Sequence, residues 1–164
     1  MVLTNNMRRR NNPLYFPHIS DAPSPLLAQV KRKVRFEEVD TLGIVWHGRY
    51  PSYIEDGRAA FGEKYGMGYM DMYRENFMAP IVRMHIDYHI PLRFREECII
   101  TASLHWTDAV RLNFQYLISG QDGRVAATGY TVQLLTNMKM EVLLARPEFV
   151  EEFCRRWKEG LFHE

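Results

Sequence analysis

Residues 35–50 read RFEEVDTLGIVWHGRY, and this stretch joins a predicted strand to a predicted helix. Asp40 ends the strand-like part, Gly43 follows it, and His47 and Gly48 stand just before an amphipathic helix that begins near Tyr50. A helix start presents backbone N–H groups without intrahelical acceptors and the positive end of the helix dipole. One carboxylate facing such a site is a minimal arrangement for acyl transfer, because the N–H groups stabilise developing negative charge.

The sequence on either side of this stretch predicts one strand and one long helix. Residues 30–38 alternate apolar and charged side chains, which is typical of a strand with one charged face. Pro51 suits the first helical turn, where its missing N–H removes no hydrogen bond, and the helix is predicted to run to about residue 65. Gly57 has low helix propensity, which predicts close packing at that point. Residues 67–76 form a short second helical piece.

The second half of the chain predicts four antiparallel strands and a final helix. The strands are predicted at residues 81–91, 98–106, 110–118 and 125–135. The first three alternate apolar and polar side chains, whereas the fourth alternates poorly, as a central strand buried on both faces does. Pro147 opens the last helix. A strand, a long helix, a meander of four strands and a terminal helix predict an α+β fold with its helices on one antiparallel sheet.

Composition places the chain among ordinary globular proteins. Its 164 residues, 46% apolar and 25% charged, predict one domain with a substantial core. The net charge of +1 offers no strong field for nucleic acid or a membrane surface. No stretch approaches the roughly 18 apolar residues of a membrane span. Cys98 and Cys154 fall on apolar faces of a predicted strand and helix, which favours buried thiols in a reducing compartment and a cytoplasmic location.

Residues 1–29 differ in composition from the sequence that follows. They contain four prolines, a run of three arginines and several asparagines and serines. This composition predicts a mobile extension, with residues 30–164 forming a single domain. The alternative is an arm that docks on a partner subunit through Leu14, Tyr15 and Phe16.

The run from Asp40 to Tyr50 resembles the active-site segment of the 4-hydroxybenzoyl-CoA thioesterase family, which has the hot-dog fold. The family pattern is Asp-x-x-Gly-(Ile/Val)-Val-(aromatic)-(aromatic or His)-x-x-Tyr, and every element of it is present here. Residues 80–91 resemble the family's next strand, and the whole resemblance covers roughly residues 30–150. It implies a curved antiparallel sheet wrapped around one long helix. It also implies hydrolysis of an acyl- or aryl-CoA thioester to a carboxylic acid and coenzyme A, with neither a metal nor another cofactor.

The resemblance also assigns roles to individual residues. The residue matching Asp40 attacks the thioester carbonyl or activates the water that does so. The residue matching His47 binds the thioester oxygen through its backbone N–H and not through its side chain. The glycines of the motif allow a tight loop and ease the turn into the helix. We expect the substrate to contact six further residues, namely Gly43, Val45, Gly48, Tyr50, Tyr53 and Arg83.

The resemblance further implies a shared site and a phosphate-binding surface. Proteins with this fold build active sites between two subunits, which implies a homodimer that pairs into a homotetramer. Coenzyme A brings phosphates, for which Arg83, Arg93 and Arg95 are the candidates. Two other functions stay open, a thioesterase acting on an acyl-carrier protein and a non-catalytic protein that binds acyl thioesters on the same scaffold. Asp40 argues against the second, because a binding protein needs no carboxylate beside the carbonyl.

Two further groups of side chains favour structural explanations. Glu55 and Arg58 stand three residues apart on the predicted helix and are expected to form a structural ion pair. His85, Asp87 and His89 share one strand face, and His-x-His pairs can hold zinc. No Cys or further His cluster follows them, which favours an exposed or subunit-facing polar strand.

Overall fold

The computed structural model describes residues 15–162. Within this range the chain forms three α-helices, α1 (Tyr50–Tyr65), α2 (Tyr69–Arg74) and α3 (Glu148–Lys158). The strands are β1 (Leu26–Lys33), β2 (Phe77–Met78), β3 (Ile81–Tyr88), β4 (Glu97–His105), β5 (Arg111–Gly120), β6 (Val125–Leu134) and β7 (Thr136–Asn137). Two single 3-10 turns, Phe36–Glu38 and His47–Arg49, lie between β1 and α1.

One antiparallel sheet carries the fold. Its five strands follow the order β1-β4-β5-β6-β3, and β2 pairs with β7 in a separate two-stranded ribbon. The long helix α1 packs against β1 and β4 on one face of the sheet. The terminal helix α3 packs through Trp157, whose ring centroid lies 5.2 Å from that of Trp106. The predicted α+β arrangement of one antiparallel sheet, one long helix and a C-terminal helix is therefore confirmed.

The position of β3 corrects the predicted four-strand meander. Only β4, β5 and β6 follow one another in the sheet, whereas β3 lies at the far edge and pairs with β6. The predicted strand also ends earlier, at Tyr88, because Pro91 and the turn that follows it lead the chain back toward β1. With β5 on one side and β3 on the other, β6 is central, and residues 126–129 are all buried. The poor alternation of this segment is thereby explained.

The middle of α1 lies unusually close to the sheet. A Cβ atom built on Gly57 would stand 2.8 Å from the Cγ2 atom of Ile100 and 3.5 Å from the Cβ of Ala102. The helix also buries Ile54 and Phe61 against the sheet. Only glycine fits at such a distance, so the predicted close packing at Gly57 is confirmed.

The sheet begins before the predicted domain boundary. β1 starts at Leu26, four residues ahead of residue 30, because Leu26 and the residues after it pair with β4. Upstream of β1, the Tyr15 hydroxyl lies 2.5 Å from Asp87 on β3, and the Phe16 ring packs against Tyr130. This segment thus contacts its own sheet. The extension was predicted to be mobile, and part of it, residues 1–14, lies outside the described residues.

The two cysteines are free, as expected. Cys98 is buried and Cys154 is half-buried, and neither is part of a disulfide. Burial raises the pKa of the Cys98 thiol to about 11, which keeps it protonated at neutral pH. Between residues 15 and 162 no helix has both the length and the apolar composition needed to cross a bilayer.

Candidate active site

A tight hairpin presents Asp40. Its backbone N–H donates to the carbonyl of Ile44 at 2.9 Å, and its carbonyl accepts from the N–H of Gly43 at 3.0 Å. Gly43 has a φ of +72°, a conformation that a residue with a Cβ adopts only with strain. The hairpin is anchored to the next loop, because the Val45 N–H donates to the carbonyl of Leu92 at 2.8 Å. The predicted role of Gly43 in the tight loop is confirmed.

The two carboxylate oxygens of Asp40 have different surroundings. Oδ1 accepts a hydrogen bond of 2.8 Å from the backbone N–H of Leu42, which fixes the rotation of the carboxylate. Oδ2 makes no hydrogen bond to any residue in the described part of the chain. The half-buried side chain borders a cavity of about 270 Å³. One carboxylate oxygen is therefore free to act on a molecule in that cavity.

The helical stretch that faces Asp40 begins at His47. The 3-10 turn His47–Arg49 runs directly into α1, so helical geometry starts three residues before Tyr50. The N–H of Arg49 is the first to find an intrahelical acceptor, the carbonyl of Trp46 at 2.8 Å. The N–H groups of His47 and Gly48 precede it and have no intrahelical acceptor. Because His47 borders the same cavity as Asp40, the helix start and the carboxylate face one space.

Aromatic and aliphatic side chains complete the cavity wall. Val45 and Tyr50 are buried, and Tyr88 and Ile90, which are exposed, also line the cavity. The Tyr88 ring lies edge-on to that of Tyr50 at 5.1 Å, and its hydroxyl donates to the carbonyl of His47 at 3.0 Å. Burial raises the pKa of the Tyr50 hydroxyl. The wall therefore carries few charges, which strengthens any electrostatic interaction within the cavity.

Four of the predicted site residues border the cavity, namely Asp40, Val45, His47 and Tyr50. The others do not. Tyr53 is fully buried behind the site, and its hydroxyl donates to Glu38 at 3.0 Å, so its role is structural. Arg83 is exposed near the start of β3, whereas the cavity lies at the end of β3. Tyr53 and Arg83 therefore do not line this cavity, and a contact of either residue with the substrate stays a prediction.

Gly48 has a different function from the one predicted. Its φ is not positive, so it does not relax the turn into the helix. Instead the indole ring of Trp46 lies directly over its Cα, and any side chain at this position would collide with that ring. Gly48 therefore allows Trp46 to cover the helix start. Gly43 likewise shapes the loop without bordering the cavity.

Sequence reasoning did not identify Tyr88 and Ile90 as cavity residues. Both lie in the segment predicted as strand 81–91, whose alternation places them on its apolar face. Their position beside Asp40 depends on β3 pairing with β6, and no local pattern reveals that pairing. The motif match from Asp40 to Tyr50 covered only one of the three chain segments that form the wall.

A buried polar network supports the loop from behind. Arg32 pairs with both Glu38 and Asp56, and the carbonyl of Glu38 accepts from the Trp46 N–H at 2.9 Å. Burial alone would raise the pKa of the Glu38 carboxyl. The backbone N–H of Arg35, the Arg32 guanidinium and the Tyr53 hydroxyl together lower that pKa below its ordinary range. The network fixes the segment that leads into both Asp40 and His47.

The remaining candidate groups pair with neighbouring side chains. Arg58 pairs with Glu55 on α1, which confirms the predicted ion pair. His85 Nε2 lies 3.0 Å from Asp87 Oδ1, and His89 Nε2 lies 2.9 Å from Thr128 Oγ1. Over residues 15–162 no three His, Cys, Asp or Glu side chains are grouped closely enough to hold a metal ion.

Comparison with known proteins identifies related chains. The family model described as the thioesterase-like superfamily matches residues 34–156. A candidate acyl-CoA thioesterase of Bacillus subtilis is 29% identical over 94 residues, covering 57% of this chain and 68% of the relative. A chloroplastic acyl-acyl carrier protein thioesterase of Arabidopsis thaliana is 28% identical over 109 residues, covering 65% of this chain and 57% of the relative.

Solved structures share the fold. A DHNA-CoA thioesterase of Staphylococcus aureus superimposes with a TM-score of 0.72 at 20% identity, covering 82% of this chain and 92% of that chain. A hypothetical protein of the same organism, solved in complex with CoA, also has a TM-score of 0.72, at 18% identity, covering 85% of this chain and 89% of that chain. At these identities the likeness establishes the arrangement of strands and helices.

Proposed function

The chain belongs to the thioesterase-like superfamily, and from this membership we propose that it hydrolyses acyl-CoA thioesters to a carboxylic acid and coenzyme A in the cavity beside Asp40. One observation carries the proposal. Among residues 15–162, a carboxylate oxygen without a hydrogen-bond donor and a helix start with unpaired N–H groups border the same small cavity. Thioester hydrolysis needs a group that attacks or activates water and a site for the oxyanion, and these two features supply them.

The geometry suggests a simple course for the reaction. The thioester oxygen accepts a hydrogen bond from the His47 N–H, which polarises the carbonyl. Asp40 then attacks the carbonyl carbon or removes a proton from the water that attacks it. The negative charge that develops on the oxygen is stabilised by the helix start. The C–S bond breaks, and coenzyme A leaves as a thiolate that takes up a proton. The acid is released at this point if water was the attacking group, or after water has hydrolysed the anhydride if Asp40 was.

Isotope labelling can detect direct attack by Asp40. A single turnover in water enriched in oxygen-18 is quenched, and the protein and the acid are examined by mass spectrometry. Direct attack by Asp40 proceeds through an anhydride and leaves the label in the Asp40 carboxylate whenever water opens the anhydride at that carbon. General-base catalysis places the label only in the product acid.

The cavity is open on one side, and we propose that a second copy of the chain closes it. β3 is an edge strand of the sheet, and its side chains Val82, Met84 and Tyr88 are exposed. An unpaired apolar edge is a template for pairing with another strand. Closure there excludes water and strengthens the oxyanion interaction. We propose a homodimer built on this edge, and pairing of dimers into a homotetramer as a further step. The free thiols of Cys98 and Cys154 suit a reducing compartment such as the cytoplasm.

The experiment that tests the function is a thiol-release assay over a panel of acyl-CoA and aryl-CoA thioesters. We expect at least one substrate to be hydrolysed, and Asp40→Asn to lower kcat/KM by 100-fold or more, that is by roughly 3 kcal/mol or more. Asn retains the shape of the side chain and its acceptor for the Leu42 N–H, so thermal unfolding should be unchanged. Wild-type rates in the Asn variant would show that Asp40 is structural.

A thioesterase acting on an acyl-carrier protein is the second candidate. The relative from Arabidopsis thaliana, named for that activity, supports it. The same cavity and the same Asp40 chemistry would serve either substrate, because the thioester and the pantetheine arm are common to both. The two differ in what lies at the far end of that arm.

A further inference from the structure

His89 borders the Asp40 cavity, and the course of reaction described above does not use it. It directly follows β3, and its backbone N–H donates to the carbonyl of Ala126 at 2.9 Å, which fixes its position. Its Nε2 atom lies 2.9 Å from Oγ1 of Thr128. Nδ1 of the same ring has no hydrogen-bond partner within residues 15–162. One ring nitrogen is therefore held by the protein, and the other is free to act on a bound molecule.

Thr128 connects His89 to the segment that precedes β1. The Thr128 side chain is buried in β6, and its Oγ1 also lies 2.8 Å from the hydroxyl oxygen of Tyr15. The Tyr15 hydroxyl in turn lies 2.5 Å from Oδ2 of Asp87 on β3. These four side chains form one continuous chain of hydrogen bonds, which leads from a residue of the cavity wall to a carboxylate.

The direction of each hydrogen bond follows from the carboxylate at the end of this chain. A carboxylate only accepts, so the Tyr15 hydroxyl uses its one proton on Asp87. The bond between Tyr15 and Thr128 then requires the proton of the threonine hydroxyl. Thr128 has no second proton to donate, so the last bond requires a proton on Nε2 of His89. The chain therefore fixes the tautomer of a neutral His89, whose lone pair is on Nδ1.

The two groups at the acidic end keep the protonation states that this direction requires. The hydrogen bond from Tyr15 lowers the pKa of the Asp87 carboxyl, and His85 contributes to the same effect. Burial, and then the hydrogen bond to Asp87, raises the pKa of the Tyr15 hydroxyl to about 12, so Tyr15 stays a donor at neutral pH. A negative charge at one end of the chain polarises every bond toward it and favours a positive charge on the imidazole at the other end. Histidine can then carry a second proton, on Nδ1, and release it.

We propose that His89 is a catalytic acid that protonates the sulfur of coenzyme A as the C–S bond breaks. This rests on the proposed thioesterase function and identifies the source of the proton that the leaving thiolate takes up. The electron pair of the C–S bond goes to sulfur, and sulfur takes the proton from Nδ1 of His89. The neutral ring keeps its Nε2 proton on Thr128 and regains an Nδ1 proton, through solvent, from the water that hydrolysis consumes. Thr128, Tyr15 and Asp87 are positioning residues for the ring, so the segment before β1 belongs to the active site of its own chain.

The direct test varies the basicity of the leaving thiol. The two substrates are an acyl-CoA and the trifluoroethyl thioester of the same acid, whose thiolate is a weaker base and departs without a proton. His89→Gln should lower kcat/KM for the acyl-CoA by about tenfold or more, and for the trifluoroethyl thioester by less than about threefold. Circular dichroism and thermal unfolding should match those of the wild type.

Tyr15→Phe tests the hydrogen-bond chain at a distance from the cavity. Phe keeps the ring that packs against Tyr130 and removes only the hydroxyl, so the chain is cut between Thr128 and Asp87. We expect kcat/KM for the acyl-CoA to fall by about three- to tenfold, with little change for the trifluoroethyl thioester. Tyr130→Phe is the matched control, because it removes a neighbouring hydroxyl that forms none of these bonds, and both rates should stay unchanged.

The outcomes separate this role of His89 from the thioesterase function itself. Equal losses for the two substrates in His89→Gln would show that the ring is structural, and wild-type rates would show that it takes no part. Either result would overturn the proposal while hydrolysis by the wild type leaves the function intact. A Tyr15→Phe protein that matches the wild type on both substrates would overturn the positioning role of the chain. Failure of the wild type to hydrolyse any thioester would contradict the proposed function, and the catalytic acid with it.

Discussion

At the scale of single residues, we expect the backbone N–H of His47, and not its imidazole ring, to take part in the reaction. The imidazole is exposed and stands beside the Trp46 and Tyr88 rings, at 5.1 and 6.5 Å between centroids. The N–H group instead begins a helical stretch and has no intrahelical acceptor. Substitutions at this one position can separate the side chain from the main chain.

His47→Ala and His47→Pro form a matched pair for this test. Ala keeps the N–H, so activity should stay within about fivefold of wild type. Pro removes the N–H, and a lost oxyanion donor lowers kcat by about 100- to 1,000-fold. The backbone accepts Pro here, because it suits the first position of a helical turn and Trp46 before it has φ −58° and ψ 132°. The measurement is kcat together with circular dichroism. Inactivity of the Ala variant would assign the chemistry to the imidazole.

The lowered pKa of Glu38 leads to a second prediction at the residue scale, which concerns how the stability of the protein depends on pH. Its pKa is lowered from 4.5 in the folded protein, so the unfolded chain binds the proton more readily. The stability that Glu38 contributes is therefore present above about pH 4.5 and is lost as the pH falls through the lower, folded-state pKa. Glu38→Gln should reduce the free energy of unfolding at pH 7 by on the order of 2 kcal/mol.

Urea unfolding at several pH values between 3 and 7 measures this effect. The difference in stability between the wild type and Glu38→Gln should shrink as the pH falls. Glu37→Gln, on an exposed neighbour, is the control and should change little at any pH. A difference that stays constant down to pH 3 would show that the Glu38 charge contributes nothing.

At the scale of elements, α1 approaches the sheet closely because Gly57 has no side chain. Gly57→Ala should destabilise the protein by about 1–3 kcal/mol through overpacking against Ile100, even though Ala favours a helix by up to about 1 kcal/mol. Ala59 lies on the exposed side of the same helix. Ala59→Gly there should cost about 1 kcal/mol through propensity alone. Thermal unfolding compares the two, and a stabilised Gly57→Ala protein would contradict the close packing.

Element types were predictable because each has a local signal. Alternation identified β3, β4 and β5 as strands, Pro51 and Pro147 marked helix starts, and the motif located Asp40 and His47. The strand partners were not predictable, because alternation shows that a segment is a strand and not which strand lies beside it. The pairing of β3 with β6 is a long-range choice, and the apolar wall of the site depends on it.

The directions in which side chains point were also not predictable from the sequence. Tyr50 and Tyr53 are three residues apart on α1 and looked equivalent in sequence. In the structure Tyr50 borders the cavity, whereas Tyr53 turns toward Glu38. Glu38 is a charged residue in a segment that was predicted as strand. Its contact with the Tyr53 hydroxyl becomes apparent only in the structure, where Glu38 is buried beside Arg32.

At the scale of the whole molecule, the exposed edge of β3 predicts self-association. The protein should be at least a dimer by light scattering at micromolar concentration. Met84→Lys places a charge in the middle of the apolar row on β3, and two-fold symmetry brings two such charges together. This variant should be monomeric and should lose most of its activity, because the cavity then stays open to water.

Leu144→Lys supplies the matched control for the dimer. Leu144 is also an exposed apolar residue, but it lies in the loop before α3 and not on β3. Its replacement should leave both mass and activity unchanged. A Met84→Lys protein that remains dimeric and fully active would place the interface elsewhere.

The backbone at Arg95 carries an evolutionary consequence. With a φ of +65°, this position suits glycine, and a residue with a Cβ gives up roughly 1–2 kcal/mol of stability there. Selection for the fold alone would favour glycine at this turn. We expect glycine or asparagine to be commoner than arginine at the matching turn of related sequences, and a survey of such relatives would test this.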